Sequence, residues 1–174
     1  MRPTEALDQV IGTLVRHEFA FEMHECETEV GISYPNTVVF VKAEQWRGHT
    51  IVKLAADVVI CVELSPETNA GIYFWLNQRN AEQRIAKFVL REGLRNEELA
   101  HPHGAITTEI EIPVHFTSTQ FLHALREVAS QAEQFADPVK QIFGGETRAD
   151  VLAEHRELFG PEPGEDGPPS ESPF

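Results

Sequence analysis

Basic residues, cysteines and long apolar runs are scarce in this chain, and each scarcity removes a class of function. Against 28 Asp and Glu there are 14 Lys and Arg, a formal charge of −14. A surface of that sign repels phosphate backbones and anionic lipid. Nucleic acid and membranes are therefore not expected partners. Cys26 and Cys61 are the two cysteines, too few and too far apart for a disulfide framework. Each lies in a strand-like segment, where a reduced, buried thiol is the common case. No run of about 18 apolar residues is present to span a bilayer. The start of the chain, with Glu5, Asp8 and Glu18, lacks the basic beginning and unbroken apolar core of a signal peptide. A cytoplasmic location is expected.

Catalytic signatures are missing too. The chain has no Gly-x-Ser-x-Gly elbow, and neither cysteine sits in a loop with a recognisable base. Gly144-Gly145 follows a helix and precedes an acid, the reverse of a phosphate-binding loop. His24 and Cys26, together with Cys61 or the His101-Pro102-His103 loop, have the chemistry of zinc ligands, but their spacing matches no established metal pattern. Glu109 and Glu111 share one strand face, the usual arrangement of a solvated surface rather than of a catalytic pair. No catalytic, cofactor-binding or metal-binding residue is assigned, and the chain is read as a non-enzyme.

What is present is one ordinary domain. At 174 residues with 41% apolar content the chain is long enough to bury a core. Its organising stretch is Gly104 to Gly145. Ile106, Thr108, Ile110 and Ile112 alternate with Thr107, Glu109 and Glu111 up to Pro113, the period of a half-buried strand. Phe121, Leu122, Leu125, Val128, Ala129, Ala132 and Phe135 then recur at helical spacing as one stripe. That helix is expected to start near Thr117 or Ser118, to be interrupted at Asp137-Pro138 and to stop at Gly144.

The rest is expected to run as follows. Thr4 caps a first helix ending near His17, with Ala6, Leu7, Val10, Ile11, Leu14 and Val15 as its stripe. Phe19 to Glu27 forms a short strand, and Gly31 with Tyr34-Pro35-Asn36 marks a turn. Thr37 to Glu44 and Thr50 to Glu63 make a hairpin around Arg47-Gly48-His49, and a bulge or bend falls at Ala55-Ala56-Asp57. Ser65-Pro66-Glu67 opens a helix that stops at Asn80. A strand from Arg84 to Arg91 and a polar loop from Glu92 to Gly104 lead to the strand ending at Pro113. A short helix from Arg148 to Phe159 follows. Residues 160–174, with four acids and no base, do not repay the entropy of ordering and are read as a disordered tail. The fold class is thus α+β, an antiparallel sheet of about five strands packed with helices in the order α-β-β-β-α-β-β-α, with residues 1–159 as a single domain.

Strand composition supplies the candidate site. Thr37 to Val41 and Val58 to Val62 carry apolar side chains on both faces, Val38 and Phe40 on one and Val39 and Val41 on the other. Helices cover one face. The second is either roofed by loops over central strands or serves as a surface for a second subunit or an apolar peptide. Val39, Val41, Val59 and Cys61 are the residues assigned to that surface.

The runs Ala86-Lys87-Phe88-Val89-Leu90, Ile110-Glu111-Ile112-Pro113 and Phe143-Gly144-Gly145, with the element order, carry a family likeness. Over roughly residues 4 to 145 the chain resembles the YbjN-like and type III secretion chaperone-like domains, especially the actinobacterial branch of peptide-binding chaperones. The resemblance implies a compact, often dimeric α+β domain that holds an extended or helical segment of a partner without ATP, and it brings no catalytic residue. The acidic Pro-rich tail and the extra helix depart from a dedicated secretion chaperone. Charge and resemblance together predict a cytoplasmic, chaperone-like homodimer whose partner is a basic, amphipathic protein or peptide segment. The alternatives are an interaction protein whose sheet only dimerises and, third, a small metal-dependent enzyme.

Overall fold

A computed structural model describes residues 1–23, 28–83, 85–93 and 102–159, which form four helices and one antiparallel sheet of six strands. The fold class is the expected one, with one strand more. Helix α1 (Pro3–Arg16) begins a residue before the expected cap. Pro3 presets the first helical dihedral, and Glu5 reaches back to accept from the Arg2 backbone N–H at 3.0 Å, so Arg2 rather than Thr4 is the cap.

Strand β1 (Phe21–Met23) is followed by β2 (Glu29–Ser33) where a turn was expected. Val30 and Ile32 are fully buried and Gly31 lies under Phe40, so the glycine sits inside a strand. Strands β3 (Val38–Trp46) and β4 (His49–Glu63) form the hairpin. Arg47 and Gly48 both take positive φ, 47° and 82°, the geometry of a tight two-residue turn. The irregularity in β4 comes later than expected, between Asp57 and Val62.

Ser65 caps α2 (Pro66–Glu82) by accepting from the Thr68 N–H at 3.1 Å. Strands β5 (Lys87–Glu92) and β6 (His103–Pro113) complete the sheet in the order β1-β2-β3-β4-β6-β5. Helix α3 (Ser118–Phe143) starts at a Thr117–Gln120 capping box and runs through Pro138 without the expected break. A proline there removes one rung of the ladder. The buried Val139 beside it holds the last turns in place. Helix α4 (Arg148–Phe159) is last. Residues 24–27, 84, 94–101 and 160–174, and with them His24, Cys26, Arg84, His101 and the tail, lie outside the described part.

All three long helices pack on one face of the sheet. Leu7, Val10 and Leu14 of α1 and Phe121, Leu125 and Val128 of α3 share one cluster with Val39, Val41, Leu54 and Ile110. Trp75 of α2 and Phe135 of α3 each meet the Phe88 ring edge-on at 5.0 Å. Each large side chain fully buried here is worth about 1.5–3 kcal/mol. Among the described residues no helix is long and apolar enough to cross a membrane.

This packing overturns most of the assigned surface. Val39 and Val41 pair with Ala56 and Leu54 and have no exposed area, and Val59 pairs with Ile106 and is 1% exposed. They face the helices. Among the described residues, the side that α1, α2 and α3 leave open carries the opposite parity, Val38 and Phe40, with Val151 of α4 at one end of it.

Candidate functional site

Strand pairing fixes which side chains reach the uncovered face. Phe40 lies between Gly31 and Ala55, Lys42 between Glu29 and Lys53, and Asp57 beside Thr107. Glu109 stands opposite Ala55 and Lys87, and Arg91 opposite Ala105. The result is a shallow concavity lined by Glu29, Phe40, Lys42, Glu44, Lys53, Ala55, Asp57, Arg91 and Thr107, with a volume of about 390 Å³. It merges a few apolar side chains with charges of both signs.

The charges are organised around Glu109, which is only 9% exposed. Its carboxylate pairs with the Lys53 ammonium and with an Arg91 guanidinium nitrogen at 2.6 Å, and accepts hydrogen bonds from Arg91 Nε at 2.7 Å and from the Thr107 hydroxyl at 3.0 Å. Burial alone would raise its pKa. The Lys53 and Arg91 hydrogen bonds and charges outweigh that and hold it below the usual carboxylate range. Asp57 is the reverse case. Desolvation, helped by the nearby Glu109 charge, raises its carboxyl against the pull of Arg91. Asp57 stays open to solvent at the rim, and screening by water keeps the energetic consequence small. Glu109 is thus a structural anion rather than the solvated acid expected, while Glu111 is exposed as expected.

The upper end of the face forms a narrower groove. Val38, Phe40, Val58, Val59 and Ile60 on the sheet and Val151 on α4 line a cavity of about 100 Å³, so Val59, of the residues assigned from sequence, borders this groove while buried among the core residues. Ile60 is tied to the start of α4 by a pair of backbone hydrogen bonds with Glu146 at 2.9 and 2.8 Å.

Cys61, the fourth assigned residue, does lie at the surface, but at the β4 irregularity beside Arg91, Glu92 and His103. It adopts φ 56°, a left-handed conformation that side chains with a Cβ resist. Desolvation and the Glu146 carboxylate push its thiol up, which disfavours the reactive thiolate. Replacing Cys61 by glycine is expected to raise stability by about 0.5–1 kcal/mol through relief of this strain, and replacing it by valine to lower it. Urea denaturation of both variants checks this.

One sheet edge offers less than the face. At the β5 edge the Asn80 side chain donates to the Phe88 carbonyl at 2.8 Å and accepts from the Phe88 N–H at 2.7 Å, in the manner of a neighbouring strand. Such a device blunts that edge against strand addition. At the opposite edge the described residues of β1 are Phe21–Met23. Among the described residues no three His, Cys, Asp or Glu side chains are grouped to hold a metal ion. Exposed apolar residues elsewhere include Tyr73 and Phe74 on α2, the latter 64% exposed, Ile142 on α3, Val15 on α1 and Trp46 at the end of β3.

Comparison with solved structures bears on this arrangement. The chain is similar to the crystal structure of YbjN from E. coli, described as a candidate transcription regulator, with a TM-score of 0.50, 16% identity, and coverage of 79% of this chain and 93% of that one. The fold is YbjN-like. No protein-family model matches the chain, and no curated protein matches it by sequence. At this identity the likeness concerns the fold, and the uncovered face has to be read from its own residues.

Proposed function

We propose that the chain is a non-enzymatic, chaperone-like domain that holds a protein or peptide segment on the uncovered face of its sheet, without ATP. The carrying observation is that α1, α2 and α3 all pack on one side, leaving Val38, Phe40 and Ala55 on the other among Lys42, Lys53, Arg91, Asp57 and Glu44. A fixed lattice of both charges around an apolar strip suits an amphipathic segment better than a small metabolite. The net charge of −14 raises the encounter rate of basic segments, so association is expected to slow with salt without being abolished. The same charge opposes direct contact with DNA, so a regulatory role like the one named for YbjN would run through a protein partner.

The test is calorimetric titration of an amphipathic leucine-lysine peptide into the chain with Phe40 intact and with Phe40→Ser. Binding at micromolar affinity with a negative heat-capacity change is expected, weakened at least about tenfold by the substitution and unaffected by nucleotide. Equal binding by both proteins would move the site elsewhere.

A second copy of the chain is the alternative occupant. The mixed charges favour it, because across a two-fold axis the Lys42 and Lys53 side of one copy can meet the Glu29 and Glu44 side of the other. Light scattering then gives a mass near twice 19.6 kDa, reduced to one copy by Phe40→Ser. A monomer before substitution excludes this reading.

A further inference from the structure

Helix α4 is built unlike the other helices. Its first turn is firmly fastened: Asp150 accepts from the Lys140 ammonium at 2.6 Å and from the Thr147 N–H and hydroxyl, both at 2.6 Å, while the Asp150 N–H donates to the Thr147 hydroxyl at 3.3 Å. Beyond that turn, the described residues Val151 to Glu157 include none that is buried. The helix therefore gains little from packing on its own sheet, and a helix of 12 residues is marginal without such packing. Its one apolar contribution to the candidate site is Val151, which closes the groove over Val38, Phe40 and Ile60.

We propose that α4 is a resident stand-in for the partner. Val151 holds the place of an aliphatic side chain from an incoming amphipathic helix, and that helix displaces α4 by swinging it about the Thr147–Asp150 root. This rests on the proposed use of the open face and adds its occupant and its regulation. With Val151 as one of its walls the groove still holds about 100 Å³ of empty space, so the site that opens when α4 swings away is larger than that volume. Around it Asp57 and Glu146 supply acids for basic residues flanking that side chain. Arg148, which also lines the groove, lies inside the Thr147–Asp150 root and stays in place as α4 swings. While α4 is seated, the observed affinity is the intrinsic one reduced by the fraction of molecules whose groove is open.

The test uses the full chain with two variants, Asp150→Ala, which removes the first-turn fastening, and Val151→Ser, which cuts back the groove wall that α4 supplies and leaves that fastening intact. Each is titrated with the leucine-lysine peptide and, separately, with a solvatochromic apolar dye. Both variants are expected to bind the peptide about three- to tenfold more tightly and to brighten the dye, and adding Phe40→Ser is expected to cancel both gains. Unchanged or weaker binding and unchanged dye signal in both variants would overturn the proposal, since α4 would then be inert or part of the site. Should no variant bind the peptide, the open-face reading fails. The stand-in proposal is then decided by the dye alone, standing if fastening loss brightens it in a Phe40-dependent way and falling if not.

Discussion

Replacing Val39 by aspartate is expected to unfold the domain, while the same replacement one position on, at Phe40, leaves it folded. Val39 has no exposed area and lies against Ala56 in the cluster that α1 and α3 cover. A carboxylate there has no partner and no water, and the cost of such a substitution reaches about 4 kcal/mol or more. That is comparable with the whole stability of a typical domain, roughly 5–15 kcal/mol. Phe40 is half-buried on the open side, where an acid finds solvent and Lys42 and Lys53 nearby. About 1–2 kcal/mol of packing over Gly31 is lost. Circular dichroism of the two variants checks the pair, and reversed outcomes would invert the assignment of faces.

The second large effect is expected at Glu109. In Glu109→Ala, Lys53 and Arg91 lose the anion that they share. Removing one member of a buried pair costs about 3–5 kcal/mol. Here Arg91 is half exposed and recovers hydration, so about 2 kcal/mol is expected at neutral pH. The pH dependence follows from the lowered carboxyl. Its contribution is complete above the ordinary value of 4.5 and is lost as pH falls through the lower folded value. Urea midpoints of the unchanged chain and the variant should therefore converge under acid conditions. Asp57 acts with the opposite sign, because its raised carboxyl is penalised when ionised and protonation relieves it. A gap that stays constant down to strongly acidic pH would remove Glu109 from its role as the charged centre of the face.

The helices were legible because their signals are local: Ser65 before Pro66, Thr117 three residues before Gln120, and stripes at helical spacing. Strand β2 was hidden by Gly31 and by the Tyr34-Pro35-Asn36 turn, although Val30 and Ile32 carried the alternation. The choice of face failed for a different reason. Val38 to Val41 is apolar at every position, so those four residues contain no parity. The parity lies further along the same strand, where Lys42 and Glu44 continue the series of Val38 and Phe40 while Ala43 continues that of Val39 and Val41. Lys53 between Val52 and Leu54 repeats the message on β4. The burial of Glu109 had no local signal at all, since Lys53 and Arg91 reach it only through strand pairing.

The most direct test of the open-face account is the map of amide and methyl resonances that shift when the leucine-lysine peptide binds. The account predicts shifts concentrated at Val38, Phe40, Ala55, Lys53 and Arg91, together with Val151 as α4 leaves its seat. Shifts confined to the helical side, around Tyr73, Phe74 and Ile142, would contradict it.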